Sequence, residues 1–165
     1  MNETLQHYAA GPAAPEALIA TLGPSELDQS VAAGSWTARE IVHHIADGDD
    51  IWAVALKAAP GGQGLTFNQS WYDNHNRWAT TLDYANRPVE PALALLRARR
   101  AQVVELLRHL PDAWDSSILF RFDDDDLGQQ VTTGQIIAMQ VHHLTTHLDE
   151  IRAILEPART NPRPA

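Results

Sequence analysis

The 165-residue chain has no cysteine. That absence excludes disulfides, thiolate metal ligands and a thiol nucleophile of the protein's own, so any thiol chemistry has to arrive with a cosubstrate. Basic residues are also scarce: 12 Lys and Arg stand against 21 Asp and Glu, for a net charge of −9. A phosphate backbone is repelled by such a balance, and no nucleic-acid partner is expected. Long apolar runs are missing too. The longest that matters, Ile51 to Leu56, stops at Lys57 and is far too short to span a bilayer. The opening stretch MNETLQHYAAGPAAP carries no Lys or Arg, so it lacks the basic region of a secretory signal. A cytoplasmic protein without membrane association is expected.

What the chain does have is histidine, eight in all. Three of them fall in QVHHLTTHLDEI, from Gln140 to Ile151. Ile137, Val141, Leu144, Leu148, Ile151 and Leu155 recur there in steps of three and four, which is one packed face of an α-helix. A second row beside it holds Ile136, Gln140, His143, His147 and Ile154, while His142 turns to the opposite side, toward water. Imidazoles at i and i+4 rise from successive turns and can meet at one metal ion. An HxxxH on a helix flank is more often two ordinary histidines, and Leu144 stands where a zinc-protease HExxH needs Glu. A third ligand decides the matter. The stretch SWTAREIVHHIADGDDIWAVALKAA supplies one: its stripe runs through Ile41, Ile45, Trp52, Leu56 and Ala59, with His44 on the inner flank and His43 rotated to the far side. Periodicity on two helices therefore selects His44, His143 and His147.

These residues resemble the DinB and YfiT family of metal-dependent enzymes, whose members show W-[ST]-x-x-E-x-x-x-H and then H-x-x-x-H near the C-terminus. Trp36, Thr37, Glu40 and His44 match the first segment, and His143 and His147 the second. The likeness extends to IVHHIAD and to PALALLRARRAQVVELLRHL, from about Trp36 to Leu155. One departure is that many relatives follow the last histidine with R-G-Q, where this chain has Leu148, Asp149 and Glu150. The resemblance implies an all-α, DinB-like four-helix bundle. It also implies one divalent metal per chain, zinc first, with nickel or iron as alternatives that suit imidazole. Relatives include bacillithiol-dependent S-transferases and mycothiol-dependent isomerases. The expectation drawn from them is a metal-dependent S-transferase that takes a low-molecular-weight thiol as cosubstrate and a small-molecule substrate. The alternatives are a hydrolase that activates water on the metal and a non-catalytic, metal-stabilised stress-response bundle.

The remaining chain reads as one domain, 1–156, with a Pro-rich tail over 157–165. A short helix is expected from Pro15 to Leu22. The second helix starts in a T-x-x-E capping box at Thr37 and Glu40 and runs to about Ala59. A short helix fits Trp71, His75, Trp78 and Leu82; His75 stays outside the metal set. A third long helix spans Glu90 to about Leu110, with Pro91 in its first turn. Arg100 lies on its apolar stripe, where it snorkels to water or pairs with a carboxylate, the alternative being that it reaches the cavity and holds a substrate carboxylate. ILFRF and QQVT flank Asp123 to Gly128 as a small hairpin or irregular segment, and the run of four aspartates is a solvated loop tip, since its spacing does not match an EF-hand. Thr132 or Thr133 caps the last helix. Glu150, beside His147, is a candidate general base, a hydrogen-bond acceptor for the ligand, or a surface residue. Trp71, Trp78 and Trp114 lie in irregular segments that a small bundle has little room to bury, which raises a homodimer as an expectation.

Overall fold

The structure, a computed structural model, describes residues 3–62, 64–72, 74–123 and 127–160, with side chains to residue 156. Four helical positions make a bundle: α1 (Glu3–Ala10), α4 (Ala38–Gly61), α6 (Glu90–His109) and α7 (Thr133–Thr160). Short helices α2 (Ala13–Ile19) and α3 (Pro24–Leu27) lead into α4, and α5 (His75–Thr81) lies between α4 and α6. Before α7 comes a three-stranded sheet of β1 (Thr66–Asn68), β2 (Ser117–Arg121) and β3 (Gln129–Thr132).

The long helices begin where local chemistry allows. At α4 the Glu40 N–H donates to Thr37 Oγ1 (3.2 Å) and the Thr37 N–H donates to Glu40 Oε2 (2.8 Å), a reciprocal capping box. Glu40 is committed there rather than to His44. Thr132 and Gln135 make the same exchange at the head of α7, at 3.2 and 2.8 Å. Glu90 and Pro91 open α6, and α4 continues through Pro60 to Gly61.

Two features exceed what the pattern carried. Helix α1 was not expected, because eight residues with only Leu5 and Tyr8 buried hold too little periodicity to read. It packs against α6 and α7. The expected hairpin is present as antiparallel β2 and β3, but β1 joins it in parallel, pairing Phe67 with Phe120. Three residues are too few to show a strand period; their pairing is a tertiary event. The last helix runs to Thr160, past the expected start of the tail at 157, and residues 161–165 lie outside the described residues. So do Asp124, Asp125 and Asp126 of the acidic run. Among the described residues no helix is long and apolar enough to cross a membrane.

Buried side chains form two apolar clusters. One joins Ile41, Ile45, Leu96, Leu148 and Ile151; the other joins Leu56, Val103, Phe120, Ile136 and Ile137. A buried polar layer lies between them in all three long helices: Asp49, Arg100 and Gln140. Arg100 donates from Nε to Asp49 Oδ2 (2.6 Å) and from Nη2 to Asp49 Oδ1 (3.0 Å) and to the Gln140 carbonyl oxygen (3.0 Å). Its guanidinium also lies 4.5 Å from the centroid of the Tyr8 ring. Burial pushes the Asp49 carboxyl up and Arg100 pulls it back down. Arg100→Met leaves Asp49 buried without its cation and should cost about 3–5 kcal/mol in denaturant unfolding, whereas pairing it with Asp49→Leu should recover most of that loss.

Candidate metal centre

His44 on α4 and His143 and His147 on α7 meet at one point, with one ligand nitrogen from each lying within 4.8 Å of the others. The Nε2 atoms of His44 and His143 are 3.1 Å apart, and the rings of His143 and His147 stand nearly perpendicular with centroids 4.5 Å apart. Helical spacing sets the pair on α7. The approach of α4 is set by Gly48: a Cβ there would sit 3.2 Å from His143 Cε1, so only glycine lets that imidazole lie freely against α4. Trp36 packs its ring 4.7 Å from His44, which accounts for a tryptophan ahead of the capping box.

The protonation states suit a cation. Burial, reinforced by the neighbouring imidazoles His143, His147 and His75, pushes His44 down to about 2; burial first and then His147 push His143 down to about 4. Both rings are thus neutral near pH 7, as metal ligation requires. Partners then fix which nitrogen keeps its lone pair. His147 Nδ1 lies 2.7 Å from Glu150 Oε2, so the Nδ1–H donates to that carboxylate and Nε2 is left for the ion. His44 Nδ1 is 3.2 Å from the Tyr72 hydroxyl, and beyond it Tyr84 donates to Asp47 Oδ2. In the tautomer that donates Nδ1–H to the Tyr72 oxygen, His44 presents an Nε2 lone pair to the site. The buried Nδ1 of His143 has no hydrogen-bond partner, and its Nε2 meets that of His44. That 3.1 Å separation is one a single shared proton spans, and with the proton removed both nitrogens offer lone pairs; three neutral imidazoles converging within 4.8 Å therefore fit a divalent ion.

A cavity of about 460 Å3 opens against His44 and His143, bordered by Trp52, Gln69, Tyr72, His75 and Phe122. His75 sits at its mouth, its ring centroid 5.0 Å from that of His44, but it is not part of the three-nitrogen cluster. Arg100 does not line this cavity; it is 1% exposed and bound to Asp49. Glu150 is about half exposed and reaches the site only through His147. His142 is exposed, but His43 is not turned to water as periodicity suggested. It is 1% exposed, stacked on Tyr84 and within 3.3 Å of the Arg87 carbonyl oxygen, because the segment before α6 covers that face of α4. The sequence reading missed the roles of Tyr72 and Tyr84, which lie in segments without a readable period, and that of Gly48, which follows from the approach of α7 to α4. Of the three tryptophans in irregular segments, Trp71 remains 48% exposed, Trp78 packs against Trp71 and Tyr72, and Trp114 abuts Gly134.

Known proteins share this arrangement of elements. The model of the DinB superfamily matches residues 7–151. A protein of Oceanobacillus iheyensis named "Putative metal-dependent hydrolase OB0782" is 29% identical over 136 residues, 82% of this chain and 74% of its own. A "Putative metal-dependent hydrolase" of Geobacillus thermodenitrificans is 30% identical over 104 residues, 62% of this chain and 56% of its own. Among solved structures, YfiT from Bacillus subtilis, described as "a probable metal-dependent hydrolase with an unusual four-helix bundle topology", superposes with a TM-score of 0.75. At 22% identity, the match covers 97% of this chain and 89% of that one. A mycothiol-dependent maleylpyruvate isomerase superposes with a TM-score of 0.66 at 16% identity, over 90% of this chain and 59% of its own. Both structural likenesses concern the fold.

Purified protein should take up about one zinc or cobalt ion per chain. Metal analysis after desalting should find it lost in His44→Ala, His143→Ala and His147→Ala and retained in His142→Ala. Tyr72→Phe should weaken affinity by about 10- to 100-fold, since it removes the group that holds the His44 proton on Nδ1.

Proposed function

The chain belongs to the DinB superfamily, and from that premise we propose that it is a hydrolase working with one divalent ion held by His44, His143 and His147. The observation that carries this reading is the cavity that opens against two of the three histidines, His44 and His143. A structural metal site is closed by four protein ligands, whereas a three-histidine cluster with a cavity against it leaves a position for a reactant. The hydrolase names of the sequence relatives support the same class of reaction. Zinc suits the donor set best, and nickel or iron share its affinity for imidazole.

Bound there, a divalent ion supplies Lewis acidity, polarising a carbonyl and lowering the pKa of water. The protein's own groups do the rest. Glu150 and Tyr72 hold the protons of His147 and His44 on Nδ1 and so aim both Nε2 atoms inward. Trp52, Tyr72 and Phe122 exclude bulk water from one side of the cavity, and Gln69 offers an amide to a substrate's polar group. Glu150 acts through His147 in this scheme, not on the substrate, so Glu150→Gln should lower metal affinity more than turnover at saturating metal.

The thiol S-transferase reading differs in the reactant that takes the open position. Zinc-loaded protein should hydrolyse members of a panel of aryl esters, lactones and anilides without added thiol, lose that activity with a chelator and regain it with zinc. His44→Ala should be inactive at any zinc concentration that leaves the wild type saturated. Turnover that requires a thiol would transfer the assignment to the S-transferase, and zinc uptake without turnover of either kind would favour the non-catalytic bundle.

A further inference from the structure

The cavity also indicates what kind of molecule occupies it, an inference that rests on the metal-centre reading above. Its wall opposite the histidines is aromatic. Trp52 stacks on Phe120 with centroids 4.6 Å apart and planes 17° apart, and Phe122 closes edge-on against the same Phe120 at 4.6 Å. The Trp52 indole N–H points away from the cavity: with the Gln140 amide oriented to satisfy both neighbours, that N–H donates to the Gln140 side-chain oxygen (3.3 Å) while the amide nitrogen donates to Asp49. Trp52 therefore presents ring carbon to an occupant.

Charge is distributed as unevenly as polarity. Among the described residues that line the cavity there is no Lys or Arg, and Asp123 is the one carboxylate. The nearest buried cation, Arg100, has its guanidinium divided between Asp49, the Gln140 carbonyl and Tyr8 and reaches no cavity surface. The chain as a whole is acidic, at −9. An anionic group on the part of a ligand remote from the metal would be desolvated against aromatic carbon, with no Lys or Arg among the described lining residues to pair with it, an arrangement that is costly at low local dielectric. Aromatic faces with a carboxylate at the rim accept an apolar body, and they tolerate a cationic substituent.

We propose that the substrate is a small molecule with an apolar, aryl-sized body and no anionic group on the end away from the scissile bond. The metal end and the far end then have separate duties: the ion and histidines engage the reacting group, and Trp52, Tyr72 and Phe122 select the body. Acidic low-molecular-weight thiols and phosphorylated metabolites fall outside this class for the same reason.

The test uses three hydroxamates that share one metal-binding head: benzohydroxamic acid and its para-carboxy and para-aminomethyl derivatives. Their affinities for full-length, zinc-loaded protein are measured by calorimetry, after metal analysis has established the zinc content. The neutral and aminomethyl compounds should bind at least about tenfold more tightly than the carboxylate, about 1.4 kcal/mol. Asp123→Lys, a rim substitution, should raise affinity for the carboxylate alone, and Phe122→Ala should weaken all three. Equal or tighter binding of the carboxylate to wild type overturns the proposal, as does zinc-loaded protein that binds none of the compounds. Protein that takes up no zinc overturns the metal-centre reading and this inference together. Correct ordering of the three affinities without hydrolysis of any substrate leaves the ligand class standing and removes only the hydrolase assignment.

Discussion

The ion pair between Asp49 and Arg100 is the constraint on which the rest of the molecule depends. A charged pair with exposures of 0% and 1% for its side chains is expensive to desolvate, and the geometry that offsets the cost is specific. It needs two parallel N–H to O bonds, a third bond to the Gln140 carbonyl and an aromatic face from Tyr8. Those partners belong to α4, α7 and α1, while Arg100 itself is on α6. A slip of any helix by one residue would break the set. The layer thus fixes longitudinal register in a bundle whose apolar clusters, above and below it, would tolerate small sliding.

Register is what the three-histidine cluster requires. Gly48 is adjacent to Asp49, and Gln140 lies one turn before His143, so the pair that locks α4 to α7 also holds His44 opposite His143. The close approach at Gly48 then lets the imidazoles come together. The second level of control is the set of acceptors behind the ligands. Glu150 reaches His147 from the same helix, but Tyr72 and Tyr84 come from the region between α4 and α6. That region looks like connecting chain, yet it supplies the hydroxyl that meets His44 Nδ1 and the residues that cover His43.

The small sheet serves the same site from the other side. Phe120 is fully buried between the apolar cluster and the cavity wall, and it backs both Trp52 and Phe122. The parallel addition of β1 brings Phe67 onto that stack and leads directly into Gln69 and Tyr72. A sheet inserted in a helical bundle is therefore the scaffold for the cavity's aromatic wall and for one of its polar groups.

Much of this was legible in the chain without coordinates. Helical periodicity carries direction as well as position, and it separated His44 from His43 and His143 and His147 from His142 because each helix repeats over several turns. The capping box at Thr37 and a cap at Thr132 or Thr133 follow from interactions a few residues apart, and Arg100 within an apolar stripe already called for snorkelling, a carboxylate partner or a place at the cavity. Contacts between distant segments carry no period. The partner of Arg100, the burial of His43 under residues 82–89, the strand β1, the role of Gly48 and the contacts of Tyr72 with His44 and of Tyr84 with Asp47 all required the tertiary structure. The sequence by itself determined which side chains each helix turns inward; only the packing of those helices decided which of them meet, since burial and hydrogen bonding between remote segments exist only once the chain has closed on itself.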